Sequence, residues 1–208
     1  MAGTMSEADL VADLGESLFD TAAVFKAEGD ATLKRLLRES LPDMQVKRPL
    51  TKVGQITLDV DVATYAVAEA DFAAFKTDLW RDQSKLPKPW APTWPGALPR
   101  IQAARGGDGW TLLFDPAPTA AHLSVLGTVC KYWYFAEHVI GADAADTTVA
   151  AQDRGLLLVR AQAQVMLALA MRNASKPVTM RDGVSGVARN STPAALYDAL
   201  MQVFREAR

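Results

Sequence analysis

The sequence contains few of the residues on which secreted, metal-binding and many catalytic proteins depend. It has one cysteine, Cys130, and two histidines, His122 and His138. A single cysteine excludes an intrachain disulfide and suits a reducing, intracellular compartment. Neither histidine has a second histidine or a cysteine at zinc-ligand spacing, so we expect no metal site. Cys130 lies in an apolar stretch and is expected to be a small buried side chain.

Excess positive charge is absent too. The formal net charge is −2 and the pI is near 5.7, which excludes the basic footprint of a protein that holds nucleic acid stably. The acidic first residues lack the pattern of a signal peptide. The longest apolar runs are interrupted by Arg160 and by glutamines, so we expect no membrane span.

Motifs for phosphate binding and nucleophilic catalysis are also missing. The glycine-rich tract 105–109, RGGDG, lacks the Lys-Ser/Thr ending of a phosphate loop. Residues 184–186, VSG, lack the frame of a nucleophile elbow. We therefore expect neither enzymatic activity nor a cofactor.

The charge that is present is unevenly distributed. Residues 1–43 hold nine acidic and four basic side chains, whereas residues 172–208 hold six basic and three acidic ones. Ends of opposite sign suit head-to-tail contact between copies of the chain. Two simply solvated surfaces are the alternative.

The chain is organised around residues 152–173, QDRGLLLVRAQAQVMLALAMRN. Apolar residues recur there at three- and four-residue steps in two adjacent rows, which predicts a helix that is apolar over most of its circumference. Such a helix must be covered on several sides. We interpret it as the central core helix, entered through residues 146–148; a helix that contacts a neighbouring subunit is the alternative.

Shorter helices are predicted near both ends of the sequence. Ser6 caps a first helix that Gly15 interrupts, and Asp30 caps a second helix that Pro42 stops. The pair Thr192-Pro193 begins a last helix, because a capping threonine precedes a proline at the first helical position.

Between these helices the spacing of apolar residues changes from the three- and four-residue steps of a helix to every second residue, as in a strand. Alternation over residues 55–62 predicts a half-buried strand, with 46–52 and 65–67 as its candidate pairing partners. Asp59 and Asp61 would share its wet face, where two solvated acids are favoured over a paired carboxylate site. Residues 72–79 fit a helix and a strand almost equally well.

Two further β-elements follow in the sequence. The glycine-rich turn 105–109 between the apolar segments 101–104 and 110–114 predicts a β-hairpin. The β-branched and aromatic residues of 123–134 favour another strand with Gly127 at a bulge, and a helix is the alternative.

A proline-rich stretch precedes the hairpin. Residues 85–100, KLPKPWAPTWPGALPR, hold five prolines with Trp90 and Trp94 between them. Proline at this density forbids a helix or a central strand and leaves an extended arm or an ordered loop. We expect the tryptophans to hold it against its own domain or a neighbouring subunit. A ligand for a proline-recognising module is the alternative.

Together these elements predict an α+β protein, a mainly helical bundle around a long central helix with an inserted antiparallel β-sheet or hairpin segment and extended arms. We expect a single domain over residues 1–208. Its helical core would comprise 6–43 and 146–175, the β-rich insertion 44–140, and the C-terminal arm and helix 176–208.

The order of these parts follows a known plan. Acidic N-terminal helices (LVADLGESLFD and ATLKRLLRESLPD) precede a strand and a tyrosine (GQITLDVDVATYAV) and an acidic-aromatic pair (EADF). A segment ending in KYWYFAEHVI and the helix LLLVRAQAQVMLALAMRN complete the core. In the order of these elements and the general character of their residues, over most of its length, the chain resembles the small head-to-tail connector, or adaptor, proteins of tailed bacteriophages.

The resemblance implies a structural virion protein of the neck, made in the host cytoplasm. Such a protein forms an oligomeric ring, commonly a dodecamer in this family, that joins the portal protein to a tail or stopper protein and continues the DNA channel. DNA would pass without specific binding, and no membrane is involved. Another neck component, either a stopper or a tail-completion protein, is the alternative. A soluble cytosolic ligand-binding protein or enzyme is a less favoured alternative. A helix-rich core favours the adaptor and a closed β-barrel the stopper.

Within this interpretation, residues 178–208 dock on the portal or on the adjacent subunit. No catalytic, cofactor-binding or metal-binding residue is assigned. The candidate subunit or portal contacts are Trp90, Trp94, Arg181, Arg189, Tyr197 and Phe204.

Overall fold

The computed structural model has an α+β fold, as predicted, and divides into two compact units. Met1–Arg48 and His138–Arg208 form a helical unit, and Pro49–Glu137 form a β-rich unit. The β-rich unit corresponds to the segment predicted as an insertion over 44–140. The structure describes residues 3–18, 30–107, 109–174 and 192–207.

The elements of the described residues follow one another in this order. The helices are α1 (Glu7–Ser17), α2 (Asp30–Glu39), α3 (Leu41–Lys47), α4 (Ala120–Leu126), α5 (Arg154–Ala174) and α6 (Pro193–Glu206). The strands are β1 (Leu50–Thr57), β2 (Thr64–Ala66), β3 (Phe72–Asp78), β4 (Arg100–Gly106), β5 (Gly109–Asp115) and β6 (Val129–Ala136).

The predicted central helix is α5. It contacts α1, α2, α3 and α6, and no residue from 156 to 170 is fully exposed. The interpretation as a core helix is therefore confirmed. It begins at Arg154, after a 3-10 turn at Ala151–Asp153, so the predicted entry at 146–148 is wrong.

The central helix α5 is also the segment against which the expected absence of a membrane span must be compared. Residues Ala151–Arg172 are long and apolar enough to cross a membrane, judged by length and composition only. Core helices of globular proteins meet the same criterion. Its internal cation, Arg160, is 7% exposed, and its Nε lies 2.5 Å from Oδ2 of Asp43, so the helix carries a paired charge within the helical unit.

The shorter helices confirm one predicted cap and correct two predicted breaks. Ser6 Oγ accepts from the Asp9 amide at the start of α1, as expected. Gly15 does not interrupt α1; it lies buried within the helix. Pro42 does not stop α2, which ends at Glu39; it occupies the first turn of α3, where the missing N–H of proline has no helical partner to lose.

The β-rich unit contains two three-stranded antiparallel sheets. Their strand orders are β1-β6-β3 and β2-β5-β4. The predicted hairpin is confirmed as β4 and β5, in which Arg105 lies opposite Trp110. Both sheets are open, and their apolar faces supply one cluster of buried residues that includes Phe72, Leu112 and Phe114.

The strand predicted over 55–62 is displaced in the structure. It begins earlier, as β1, and ends at Thr57; residues 59–62 form an exposed turn in which Asp61 has a φ of 59°. Its partner is β6, whereas residues 64–66 pair with β5. The predicted pairing with 46–52 and 65–67 is therefore wrong, because the favourable partner lies far away in sequence. Residues 72–78 form a strand.

The segment predicted as one strand over 123–134 divides into a helix and a strand. Residues 120–126 form α4, and Gly127 ends this helix with a φ of 89°. The strand β6 then begins at Val129. Gly127 thus marks a helix end, because only glycine adopts this backbone conformation without steric cost.

Candidate interaction surfaces

The proline-rich stretch presents one of its two tryptophans to solvent. Trp90 is 78% exposed, and its ring lies 5.4 Å from Nζ of Lys88. Trp94 is half-buried, and its amide donates to the carbonyl oxygen of Ala91 in a turn. Of the two candidate contacts, Trp90 is the side chain that is free to meet another molecule.

The tryptophans lie within a longer segment that carries cations only. Residues 83–107, here named the basic arm, contain four basic side chains and no acidic one. All four are exposed, and none forms an ion pair within the described residues. They are Lys85, Lys88, Arg100 and Arg105.

Strand β4, residues 100–106 of the basic arm, pairs with β5, and two side-chain hydrogen bonds attach the residues just before it to the same unit. Nε2 of His122 lies 3.1 Å from the carbonyl oxygen of Ala97, and Nη1 of Arg81 donates to that of Pro99. The side chain of Asp78, 1% exposed, accepts from Arg81 and fixes the guanidinium. The arm therefore lies against its own domain, one of the two predicted placements.

An exposed acidic segment lies in the same unit. Residues 59–62, Asp-Val-Asp-Val, are here named the acidic tip, and all four are exposed. Val60 and Val62 are 48% and 38% exposed, and neither carboxylate forms an ion pair within the described residues. The hydroxyl of Tyr65 anchors the backbone of Asp59.

The C-terminal helix α6 begins as predicted but turns its candidate contacts inward. Thr192 Oγ1 accepts from the Ala195 amide, with Pro193 at the first helical position. Phe204 is 5% exposed and belongs to the core of the helical unit, and Tyr197 is partly buried against that core. The exposed large apolar residues of α6 are Leu196 and Val203. Arg181 and Arg189, like the predicted arm 178–190, lie outside the described residues.

The acidic N-terminal region is neutralised in part by the chain's own cations. Glu7 lies 2.6 Å from Nη2 of Arg38 and 3.3 Å from Nζ of Lys34. Three more acids of this region are paired: Glu39 with Arg35, Asp13 with Arg154, and Asp43 with Arg160. A count of charges along the sequence therefore overstates the negative charge that this end offers to another copy. The cations of α2 also border a depression of about 470 Å³.

His122 has a structural position at the start of α4. Thr119 Oγ1 accepts from the His122 amide, and the Thr119 amide donates to Nδ1 of His122, which completes a capping box. Because Nδ1 accepts, Nε2 carries the proton and donates to the carbonyl oxygen of Ala97. Both ring nitrogens are used to hold the backbone.

His138 links three segments of the helical unit. Its Nε2 lies 2.7 Å from the carbonyl oxygen of Arg48, and its Nδ1 lies 3.2 Å from Oγ1 of Thr148. The backbone amide of His138 donates to the side chain of Gln45. These partners lie 10 to 93 residues away in sequence, so His138 does not act as a local cap.

Cys130 is fully buried in the β-rich unit, as predicted. Burial raises the pKa of its thiol to about 12, and the carboxylate of Asp78 contributes to the rise. A thiol with this pKa has almost no thiolate at neutral pH, so it is a poor nucleophile.

Two tyrosines of β6 form hydrogen bonds to the acidic-aromatic segment EADF. The Tyr132 hydroxyl donates to Oε2 of Glu69 at 2.5 Å, and the Tyr134 hydroxyl donates to Oδ1 of Asp71 at 3.0 Å. Lys52 lies 2.6 Å from the other oxygen of Asp71. Burial and these carboxylates raise the pKa of both tyrosines, that of Tyr134 to about 12.

Asp71 is ionised within this cluster. Burial alone would raise its pKa, but hydrogen bonds from Lys52 and Tyr134 and the charge of Lys52 outweigh burial and lower it. The described residues include no group of three or more histidine, cysteine, aspartate or glutamate side chains arranged to hold a metal ion. The polar side chains of this cluster bind one another and hold the sheet together.

Comparisons with known proteins show a distant structural likeness. No protein-family model matches the sequence, and no curated protein matches it. Among solved structures, the chain is similar to a chain from the neck of an empty GTA particle computed with C6 symmetry. The identity is 12% and the TM-score 0.27, over 82% of this chain and 78% of that chain. A TM-score of 0.27 does not establish a common fold.

Proposed function

We propose that this chain is a structural protein of the neck of a tailed-bacteriophage virion, the subunit of a head-to-tail adaptor ring that joins the portal to the tail and continues the DNA channel. The proposal starts from the resemblance in element order and texture described above. Its partners would be further copies of the chain, the portal protein, and a tail or stopper protein. The DNA would pass through without specific binding.

One structural observation carries the proposal beyond the resemblance. The chemically versatile side chains of the described residues are engaged in holding the fold: His122 caps α4, His138 links three segments, and Cys130 is buried. The groups left exposed are unpaired cations, unpaired carboxylates and large apolar side chains such as Trp90. Such groups suit contacts between macromolecules better than chemistry on a small substrate. We therefore also propose that the chain is not an enzyme.

The architecture supports an adaptor over a stopper. The helical unit is packed around α5, and the two β-sheets of the other unit are open rather than closed into a barrel. A helix-rich core is the feature expected of the adaptor. A stopper or tail-completion protein stays the second candidate, since it would share the ring symmetry.

The test is the mass of the purified chain in solution, measured by light scattering with and without the candidate portal. The proposal expects a ring, formed either by the chain alone or only on the portal. Electron microscopy of the complex would then place the density beneath the portal for an adaptor, or farther toward the tail for a stopper. A monomer that ignores the portal and gains thermal stability from a metabolite would contradict a neck function and indicate a ligand-binding protein or enzyme.

A further inference from the structure

The charge of the β-rich unit is segregated between two exposed surfaces. The basic arm, 83–107, carries four basic side chains and no acid, whereas the remaining described residues of the unit, 49–82 and 109–137, carry four basic and eight acidic ones. The positive surplus of the unit is thus confined to the arm. The acidic tip, 59–62, carries two of the exposed carboxylates.

Both surfaces combine charge with exposed apolar area. The arm presents Trp90, 78% exposed, beside Lys88, and the tip presents Val60 and Val62 between and beside its two carboxylates. Large aromatic side chains and a charged rim are the composition of protein interfaces. Within the described residues, no ion pair or side-chain hydrogen bond joins the arm to the tip of the same chain.

We infer that the basic arm of one copy docks on the acidic tip of the next copy, with Lys85 and Lys88 facing Asp59 and Asp61 and with Trp90 against the tip valines. The contact is heterologous, because it joins two different surfaces of identical chains, and it therefore propagates into a ring or a chain. This inference deepens the proposed ring and rests on it only for closure.

The arm is suited to binding without a large entropic cost. Five prolines restrict its backbone, bonds from His122 and Arg81 hold it at Ala97 and Pro99, and the pairing of β4 with β5 holds its C-terminal part. A preorganised segment loses less conformational freedom when it binds than a flexible one does.

DNA is the alternative partner, because four cations and a tryptophan could also bind its phosphates and bases. A second copy is favoured because the same unit carries an acidic and apolar surface that complements the arm.

The experiment uses three charge variants of the full chain. The arm variant is Lys85→Glu with Lys88→Glu, and the tip variant is Asp59→Asn with Asp61→Asn. Asparagine removes each negative charge without creating a cation that would attract the reversed arm, and at Asp61 it tolerates a positive φ. The control, Lys76→Glu with Lys131→Glu, makes the same charge change as the arm variant at exposed lysines of the same unit outside the arm. Circular dichroism and the melting temperature verify that all variants fold.

Sedimentation velocity then measures self-association at about 50 mM and about 500 mM salt. We expect the unsubstituted chain and the control to associate beyond a dimer at low salt and less at high salt. The arm and tip variants alone should have dissociation constants raised about tenfold or more. Mixed in equal amounts, they should form a one-to-one dimer that does not grow, because each supplies the intact surface that the other lacks.

Three results would overturn the inference. They are an unsubstituted chain that stays monomeric at the highest attainable concentration, variants that associate as it does, and a mixture of the two variants that remains monomeric. Retardation of duplex DNA that only the arm variant loses, with self-association unchanged, would assign the arm to DNA instead. If the arm and tip variants still build the ring on the portal, this inference fails and the proposed function stands. If no ring forms on the portal while the mixed dimer forms, the proposed function fails and this inference stands.

Discussion

Gly54 lies directly opposite Tyr132 in the β1–β6 ladder, and a side chain at Gly54 would collide with it. A Cβ built on Gly54 would lie 2.5 Å from Cζ of Tyr132 and 2.5 Å from Oε1 of Glu69. The glycine is therefore required by the close approach of the tyrosine ring and its hydrogen-bonded carboxylate.

Substituting Gly54→Ala should lower the free energy of unfolding by about 1–3 kcal/mol, because the added methyl forces Tyr132 or Glu69 to move in a packed sheet. Urea unfolding measures this change. Gly107→Ala is the matched control, since no atom outside the adjoining residues lies within 4 Å of the Cβ built there. Equal effects of the two substitutions would contradict the steric account.

The lowered pKa of Asp71 predicts that the folded protein loses stability in acid. Because Lys52 and Tyr134 lower its folded pKa below the ordinary value of 3.8, its contribution is present above that value and is lost as pH falls through the lowered pKa. Asp71→Asn should cost about 1–2 kcal/mol at neutral pH, and the difference from the unsubstituted chain should shrink below about pH 4. Urea titrations over a pH series test this. A constant difference at all pH values would disprove the electrostatic origin, and Asp115→Asn, at an exposed carboxylate outside the arm and the tip, serves as control.

Cys130 should resist thiol reagents in the folded chain. Its side chain is fully buried, and burial raises the pKa of the thiol to about 12, so both access and thiolate are lacking. Labelling with iodoacetamide should occur only as fast as the chain unfolds. In a Cys130→Ala background, Val129→Cys should react readily, because Val129 is 48% exposed on the same strand. Rapid labelling of Cys130 without denaturant would show that this part of the sheet opens.

Two neighbouring residues of α6 should differ strongly in how much stability they lose on substitution by alanine. Phe204 is buried in the helical unit, so Phe204→Ala should cost about 3–5 kcal/mol of stability. Val203 is 56% exposed, so Val203→Ala should change stability by no more than about 0.5 kcal/mol. Thermal and urea unfolding distinguish the two. A small loss for Phe204→Ala would mean that α6 does not pack as described.

Where sequence-based prediction succeeded, the signals were local. The capping residues Ser6 and Thr192 mark true helix starts, and the glycine-rich turn between apolar segments marks a true hairpin. The long apolar pattern of 152–173 identified the central helix and its burial. Each of these signals lies within one continuous segment of the sequence, so it can be recognised without knowing which distant residues the fold brings together.

Where prediction failed, a residue type was compatible with two structures. Proline at position 42 fits a helix end and the first turn of a helix equally well, and here it lies in the first turn of α3. Residues 123–134 are rich in β-branched and aromatic side chains, yet the Thr119 and His122 capping box and Gly127 confine the first part to α4. The interaction of His122 with Thr119 was the local signal that could have revealed this helix.

For the candidate surfaces, the sequence by itself determined the proline-rich arm, its two tryptophans and the absence of acids among residues 83–107, because composition and backbone restriction by proline are local properties. Only the tertiary structure decided that Trp90 is exposed while Phe204 is buried, that β1 pairs with β6, and that the acids near the N-terminus are partly neutralised by cations of α2 and α5. Burial, strand pairing and ion pairing depend on which distant residues the fold brings together, and no local pattern encodes that choice.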